Sequence, residues 1–195
     1  MKLLEERILS EGKVLPGGIL KVGSFLNQQI DTELLSQMAA ECARLFEGAG
    51  VNKVLTIESS GIAFATAAAM ALRVPMVFAK KHRSSNVDGL VCSVAIRSYT
   101  RGTEYNALVS RDYLGAGDRV LIADDFLASS SAVRGLISLI KQSGAELVGV
   151  CCAVEKGFQG GGDRLRAAGV RVESLAIIEE MTEKQIIFRT EERAQ

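Results

Sequence analysis

The chain is poor in most features that would tie it to a metal, a membrane or a nucleic acid. It has one histidine, His82, in 195 residues. With no partner nearby in sequence, His82 reads as a loop residue rather than a catalytic base. The four cysteines, Cys42, Cys92, Cys151 and Cys152, form no metal-type spacing with it. They read as buried free thiols of a reducing compartment, which points to the cytoplasm. Basic and acidic residues balance at 23 each, so bulk charge argues for neither nucleic acid nor an anionic membrane, and any anion binding must be local. No uninterrupted apolar run approaches the length of a membrane span. The first seven residues, Met1 to Arg7, are amphipathic and charged, unlike a signal peptide. The glycines Gly160 to Gly162 lack the spacing of a dinucleotide fingerprint, which removes a nicotinamide reading. There are no repeats, linkers or low-complexity segments.

What is present suits one domain spanning 1–195. Apolar residues make up 48% and charged residues 24%, enough core and enough polar surface for a soluble globular fold. Residues 2–11 pattern as a short helix, and Pro16-Gly17-Gly18 as a turn before a short strand over 19–22. Asp31 is a good N-cap for a helix from Thr32 to about Glu47. A strand over 53–57, a turn over 58–61, a helix over 62–72 and a strand over 76–79 make a βαβ unit. The segments 90–96 and 103–110 read as a long antiparallel hairpin inserted into the domain. Further strands are expected at 120–123, 146–154, 171–177 and 185–188, with helices over 133–141 and 163–168. The architecture is α/β, a doubly wound and mostly parallel sheet with the inserted hairpin and a small N-terminal annex.

The most informative stretch is Val120-Leu-Ile-Ala-Asp-Asp-Phe-Leu-Ala-Ser-Ser-Ser-Ala132. An apolar run ends in Asp124 and Asp125, and a loop of small residues, Ala128, Ser129, Ser130, Ser131 and Ala132, leads into a helix. In open parallel sheets, ligands bind at the carboxyl ends of strands, and the N–H groups opening the next helix make an anion seat. Two acids beside such a seat suggest a divalent cation or a ribose held by its hydroxyls; the plain alternative is a solvated, capped turn. The turn Glu58-Ser59-Ser60-Gly61 is either a second anion seat or a capped helix start. Two seats in one sheet fit a ligand with two phosphate-bearing ends. Lys80, Lys81 and Arg83 follow a strand and are either a solvated face or point charges for a diphosphate.

Together these segments resemble the type I phosphoribosyltransferases. The resemblance spans essentially the whole chain. It rests on Leu20-Lys-Val22 with Ser24-Phe-Leu-Asn27, Thr56 to Ala63, Val77 to His82, Ser98-Tyr-Thr100, the 120–132 stretch, Glu155-Lys-Gly-Phe158 and Arg171 to Ala176. The 120–132 motif marks the superfamily, and the full set in this order is similar to its xanthine-using branch. The resemblance implies transfer of phosphoribosyl from 5-phosphoribosyl diphosphate (PRPP) to xanthine, with Mg²⁺, in a cytoplasmic homodimer serving purine salvage. It implies that 128–132 hold the 5′-phosphate, that Asp124 and Asp125 face ribose and metal as the catalytic acids, and that 58–61 with Lys80 or Lys81 seat the diphosphate. It implies a base site at Lys156, Leu20 and Asn27, with Phe126 either stacking on the base or lying in the core. The hood would comprise about 1–30 and the C-terminal segment, and a flexible loop over about 84–104 would close the site. Two departures stand out: Ala128 replaces the acid that many 6-oxopurine relatives carry, and Ser130 replaces the usual glycine. Guanine or hypoxanthine as the base, or a non-catalytic PRPP-sensing regulator, are the alternatives. The zero net charge and the start of the match near residue 1 argue against a DNA-binding regulator.

Overall fold

The computed structural model describes residues 1–81, 90–97 and 104–190. His82, Arg83, the segment 84–86 and Ser98-Tyr-Thr100 therefore lie outside the described residues, as do the tips of the expected closing loop.

The chain opens with α1 (Lys2–Glu11) and a small antiparallel ribbon, β1 (Lys13–Leu15) and β2 (Ile19–Lys21), turned by Pro16-Gly17-Gly18. A π-helical turn, Gly23–Asn27, follows β2. Then come α2 (Thr32–Leu45), β3 (Lys53–Ile57), α3 (Ile62–Leu72) and β4 (Met76–Ala79). The carboxylate of Asp31 accepts from the N–H groups of Glu33 and Leu34, at 3.1 and 3.0 Å, and so starts α2 as its side chain predicts. The hairpin β5 (Val91–Arg97) and β6 (Glu104–Ser110) pairs antiparallel in a sheet of its own. The chain closes with β7 (Arg119–Leu127), α4 (Ser131–Ser143), β8 (Glu146–Lys156), α5 (Gly161–Ala167), β9 (Val172–Thr182) and β10 (Gln185–Phe188).

The main sheet has the order β10-β9-β8-β7-β3-β4. All neighbours run parallel except the β10 edge. Side chains alternate across a strand, and here the alternation feeds two cores. Leu121 and Ala123 pack with α1, α2 and α3 through Ile8, Met38 and Phe64. Val120 and Ile122 pack on the other face with Leu136 and Leu139 of α4 and with Cys92 and Ile96 of the hairpin. All four cysteines are buried free thiols, as read from the sequence. No helix among the described residues is long and apolar enough to cross a membrane.

Several element boundaries differ from the sequence reading. β7 continues through both acids to Leu127, because β8 runs beside it and keeps the ladder paired as far as Leu127 and Glu155. α4 starts at Ser131, and α5 starts inside the glycine run at Gly161. Glu155 and Lys156 belong to β8 rather than to a loop.

The hairpin rests on α4. A Cβ at Gly135 would collide with the Ile96 side chain, so the absence of one lets the stem of β5 sit against the helix. Gln142 adds a bond from its side-chain amide to the Ser93 carbonyl, at 3.1 Å. Gly135→Ala is therefore expected to push the hairpin off the helix and cost about 1–3 kcal/mol, read as a lower urea midpoint. An unchanged midpoint would show that the stem does not depend on this contact.

Candidate active site

The two acids sit side by side near the end of β7, close enough that the Asp125 N–H donates to the Asp124 carboxylate at 3.0 Å. Asp125 points toward the N-terminal annex. Its carboxylate accepts from the Ser60 hydroxyl at 3.0 Å and lies 3.5 Å from the Asn27 side-chain amide. Asp124 turns toward the hairpin side, where Lys81 and Tyr105 feel its charge. The alternation slips after Asp125, so Phe126 packs on the α2–α3 side and Leu127 on the other.

Both acids are almost fully buried, at 5% and 4% exposure. Burial pushes the Asp124 carboxyl well above the usual carboxylate range, and the neighbouring negative charge of Asp125 pushes it further. Burial likewise raises the Tyr105 hydroxyl, with Asp124 adding to the effect. Gly61 is needed for the close fit around Asp124, since a Cβ there would run into the Asp124 carboxylate and the Thr56 hydroxyl. That Thr56 hydroxyl is buried with no hydrogen-bond partner among the described residues.

Two helices begin beside these acids, and they differ from the other three. α3 and α4 have no side-chain cap and no acidic residue in the first turn. α2 carries Asp31 and Glu33, α1 carries Glu5, and α5 carries Asp163 at the corresponding places. The orphan N–H groups of α3 and α4 are thus left for an external anion. Because β3 and β7 are neighbours in the sheet, the turns that follow them, 58–61 and 128–132, lie side by side. Lys81 borders the first turn: its backbone N–H donates to the Glu58 carboxylate, and its ammonium sits 5.0 Å from the centre of the Tyr105 ring. Lys80 pairs by its backbone with Leu108 of β6, which joins this edge to the hairpin.

The second turn lines a pocket of about 140 Å³ whose other wall is the hairpin, through Ile96, Arg97 and Tyr105. The hydroxyls of Ser129 and Ser131 are 3.1 Å apart across its mouth. Ser130 stands between them at φ 71°, the left-handed region in which an L side chain is strained. This is the position at which the sequence carries serine in place of the glycine usual in the resembling family, and the backbone retains the conformation that suits glycine.

On the annex side, Lys156 ends β8 and donates to the Gly18 carbonyl at 2.8 Å. Its ammonium lies 5.6 Å from the centre of the Phe126 ring. Burial lowers the Lys156 pKa. Leu20 is a buried member of the α1–α2 core rather than an open wall of this space. Glu155, one residue before Lys156, points the other way into a buried pair with Arg166, whose two terminal nitrogens reach it at 3.0 and 2.6 Å. That pair fixes the end of β8 from which Lys156 projects.

The residues singled out in the sequence are thus gathered at the carboxyl ends of β3, β7 and β8, with Asn27 and Lys156 reaching across from the annex side. Tyr105, Arg97 and Thr56 were not singled out. Tyr105 and Arg97 lie in a hairpin whose register the sequence does not fix. Thr56 carries a hydroxyl inside an otherwise apolar strand, a signal that was available.

Known proteins share this arrangement. Residues 23–174 match the model of the phosphoribosyl transferase domain. The chain is 52% identical over 188 residues to the xanthine phosphoribosyltransferase of Lactobacillus delbrueckii subsp. bulgaricus, covering 96% of this chain and 100% of that protein. It is 47% identical over 190 residues to xanthine phosphoribosyltransferase 2 of Clostridium botulinum, covering 97% and 100%. Among solved structures, APRTase from Giardia lamblia complexed with 9-deazaadenine superposes with a TM-score of 0.77 at 21% identity, covering 91% of this chain and 98% of that one, a likeness of fold.

The strain at Ser130 is directly measurable. Ser130→Gly is expected to stabilise the protein by about 1 kcal/mol, seen as a higher urea midpoint at unchanged slope. A lower midpoint would show that the serine side chain contributes more than its backbone costs.

Proposed function

The chain belongs to the phosphoribosyltransferase family, and from that premise we propose that it transfers the phosphoribosyl group of PRPP to N9 of xanthine, releasing diphosphate and xanthosine monophosphate. The observation that carries the reading is the pair of acid-free helix starts flanking a buried acid pair. PRPP has the matching shape: a phosphate at one end, a diphosphate at the other and a ribose between them.

In this reading, the backbone N–H groups and hydroxyls of 128–132 bind the 5′-phosphate, and 58–61 with Lys80 and Lys81 bind the diphosphate. The ribose hydroxyls face Asp124 and Asp125. As the bond from C1′ to the diphosphate oxygen breaks and the bond to N9 forms, positive charge grows on the sugar ring. Fixed negative charge at the acid pair stabilises that state without reorganising solvent. Arg97 and Tyr105, on the wall facing the 5′-phosphate pocket, belong to the hairpin that closes over the sugar, and closure keeps water from hydrolysing the activated ribose.

Lys156 donates to the 6-oxo group of the base, a contact that adenine's amino group cannot accept. The Asn27 amide, held only loosely at 3.5 Å from Asp125, is free to donate to the 2-oxo group that separates xanthine from hypoxanthine. Phe126, beneath the Lys156 ammonium, supports the base plane, and Leu20 acts from behind by packing the annex. No side-chain acid stands at Ala128 to remove the ring proton of the base. Xanthine gives up that proton more readily than hypoxanthine does, so the absence favours xanthine.

Magnesium fits the donor set. The described residues contain no cluster of three metal-ligating side chains, while Asp124 and Asp125 offer hard carboxylate oxygens. Mg²⁺ keeps substrate oxygens and water in its shell, so two acids suffice for an ion that arrives with PRPP. These acids would hold it, and bound there it would neutralise charge on the departing diphosphate. The whole chain works as one unit in this reading, with a hood made of residues 1–30 and the C-terminal segment. The unit is a homodimer of the cytoplasm.

The test is an assay of the purified protein with Mg²⁺, PRPP and each purine base. Xanthine should be the best substrate by kcat/KM, and faster turnover of guanine would move the assignment to the alternative base. PRPP binding with no turnover of any base would favour the regulator. Lys156→Ala is expected to raise KM for xanthine at least tenfold with little change in KM for PRPP. Asp125→Asn should lower kcat about a hundredfold, and an unchanged kcat would remove its carboxylate from the transition state.

A further inference from the structure

Behind the 5′-phosphate turn lies a second cleft, of about 660 Å³, between α4 and α5. Its rim carries Arg134, Lys141 and Arg164, and no acidic residue lines it. The side chains of Arg134 and Lys141 make no hydrogen bond or ion pair with any described residue. Several arginines elsewhere meet carboxylates, as in Arg7 with Asp31, Arg119 with Glu146 and Arg189 with Asp163. The floor is apolar and made by Ile137, Leu165 and Val170.

We propose that this cleft binds a nucleoside triphosphate, which acts on PRPP binding through the shared residue Ser130. Spacing decides the class of ligand. Arg134 and Lys141 lie seven residues apart on one helix, about 10 Å along its axis, which is too far for one phosphate to bridge. A chain of phosphates reaching Arg134 and Arg164, with a flat base on the apolar floor, satisfies both parts of the cleft. A purine nucleoside fits best, because the proposed product is a purine nucleotide and a triphosphate made from it would report on supply; this clause rests on the function proposed above.

The coupling is built into the turn. Ser130 lines both the 5′-phosphate pocket and this cleft. Arg164 donates to the Ser129 carbonyl, a long bond of 3.3 Å, and to the Gln159 carbonyl at 3.1 Å. A polyphosphate competes for that guanidinium with a charge-assisted bond, which is stronger than a bond to a neutral carbonyl. Drawing Arg164 off Ser129 loosens a turn already strained at Ser130 and weakens the seat for the 5′-phosphate.

The test is equilibrium dialysis of GTP and of inorganic triphosphate, with Mg²⁺ and saturating PRPP so that the active site is occupied. GTP is expected to bind under these conditions and to raise KM for PRPP at least about fivefold. The double variant Arg134→Ala, Lys141→Ala should weaken GTP binding about tenfold while leaving kcat and KM without GTP unchanged. GTP that binds only in the absence of PRPP, and equally well to the double variant, would place it in the active site and overturn the proposal. Inorganic triphosphate binding as tightly as GTP would overturn the role of the apolar floor. Binding without a change in KM would overturn the coupling through Ser130. Because binding is read directly, failure of the xanthine assignment would not be mistaken for failure of the cleft.

Discussion

The structure turns on two adjacent carboxylates buried at the end of a central strand. Burying one charge is costly, and burying two side by side is costlier, since each raises the energy of the other. Local contacts reduce the conflict, beginning with the Asp125 N–H that donates to the Asp124 carboxylate. Asp125 gains the Ser60 hydroxyl, and Asp124 faces the Lys81 side. The space around them is shaped to match, down to the missing side chain at Gly61 and the unpartnered hydroxyl of Thr56. A site that holds so much negative character in a dry place is suited to a reaction whose transition state is positive.

Electrostatics of the backbone complete the arrangement. The helices that are purely structural have their N-termini supplied with an acid or a cap, and the two that start beside Asp124 and Asp125 do not. The annex and the hairpin then add to the sheet: Asn27 from one side, near Lys156 at the end of β8, and Arg97 and Tyr105 from the other. Neither addition is a strand of the main sheet, yet each packs into one of its cores, the annex through Phe25 and Leu26 and the hairpin through Cys92 and Ile96.

Much of this was legible in residue order. The helix over 62–72, the strands over 53–57, 76–79 and 185–188 and the Asp31 cap stand where periodicity and capping chemistry put them. The acid pair and the serine turn stood out as a candidate anion seat, because small residues opening a helix leave its N–H groups open to a ligand. The end of β7 was misjudged, since two charged residues in a row look like a strand end to any rule based on polarity. Only β8 alongside, and partners for both acids, let the strand run on. The start of α5 was misjudged because three glycines look like a loop.

The sequence by itself determined the fold class and the family resemblance, since periodicity, turn composition and residue type are local properties. It also marked Ala128 and Ser130 as departures inside the motif. Tertiary structure alone decided how the two acids are surrounded, that Asn27 meets Asp125 across 98 positions of chain, and that Tyr105 and Arg97 wall the pocket at the 128–132 turn. It also decided that Ser130 keeps a left-handed backbone and borders a second cleft. These are matters of strand register and helix packing, fixed by how two cores close on one sheet, and no window along the chain contains both sides of such a contact.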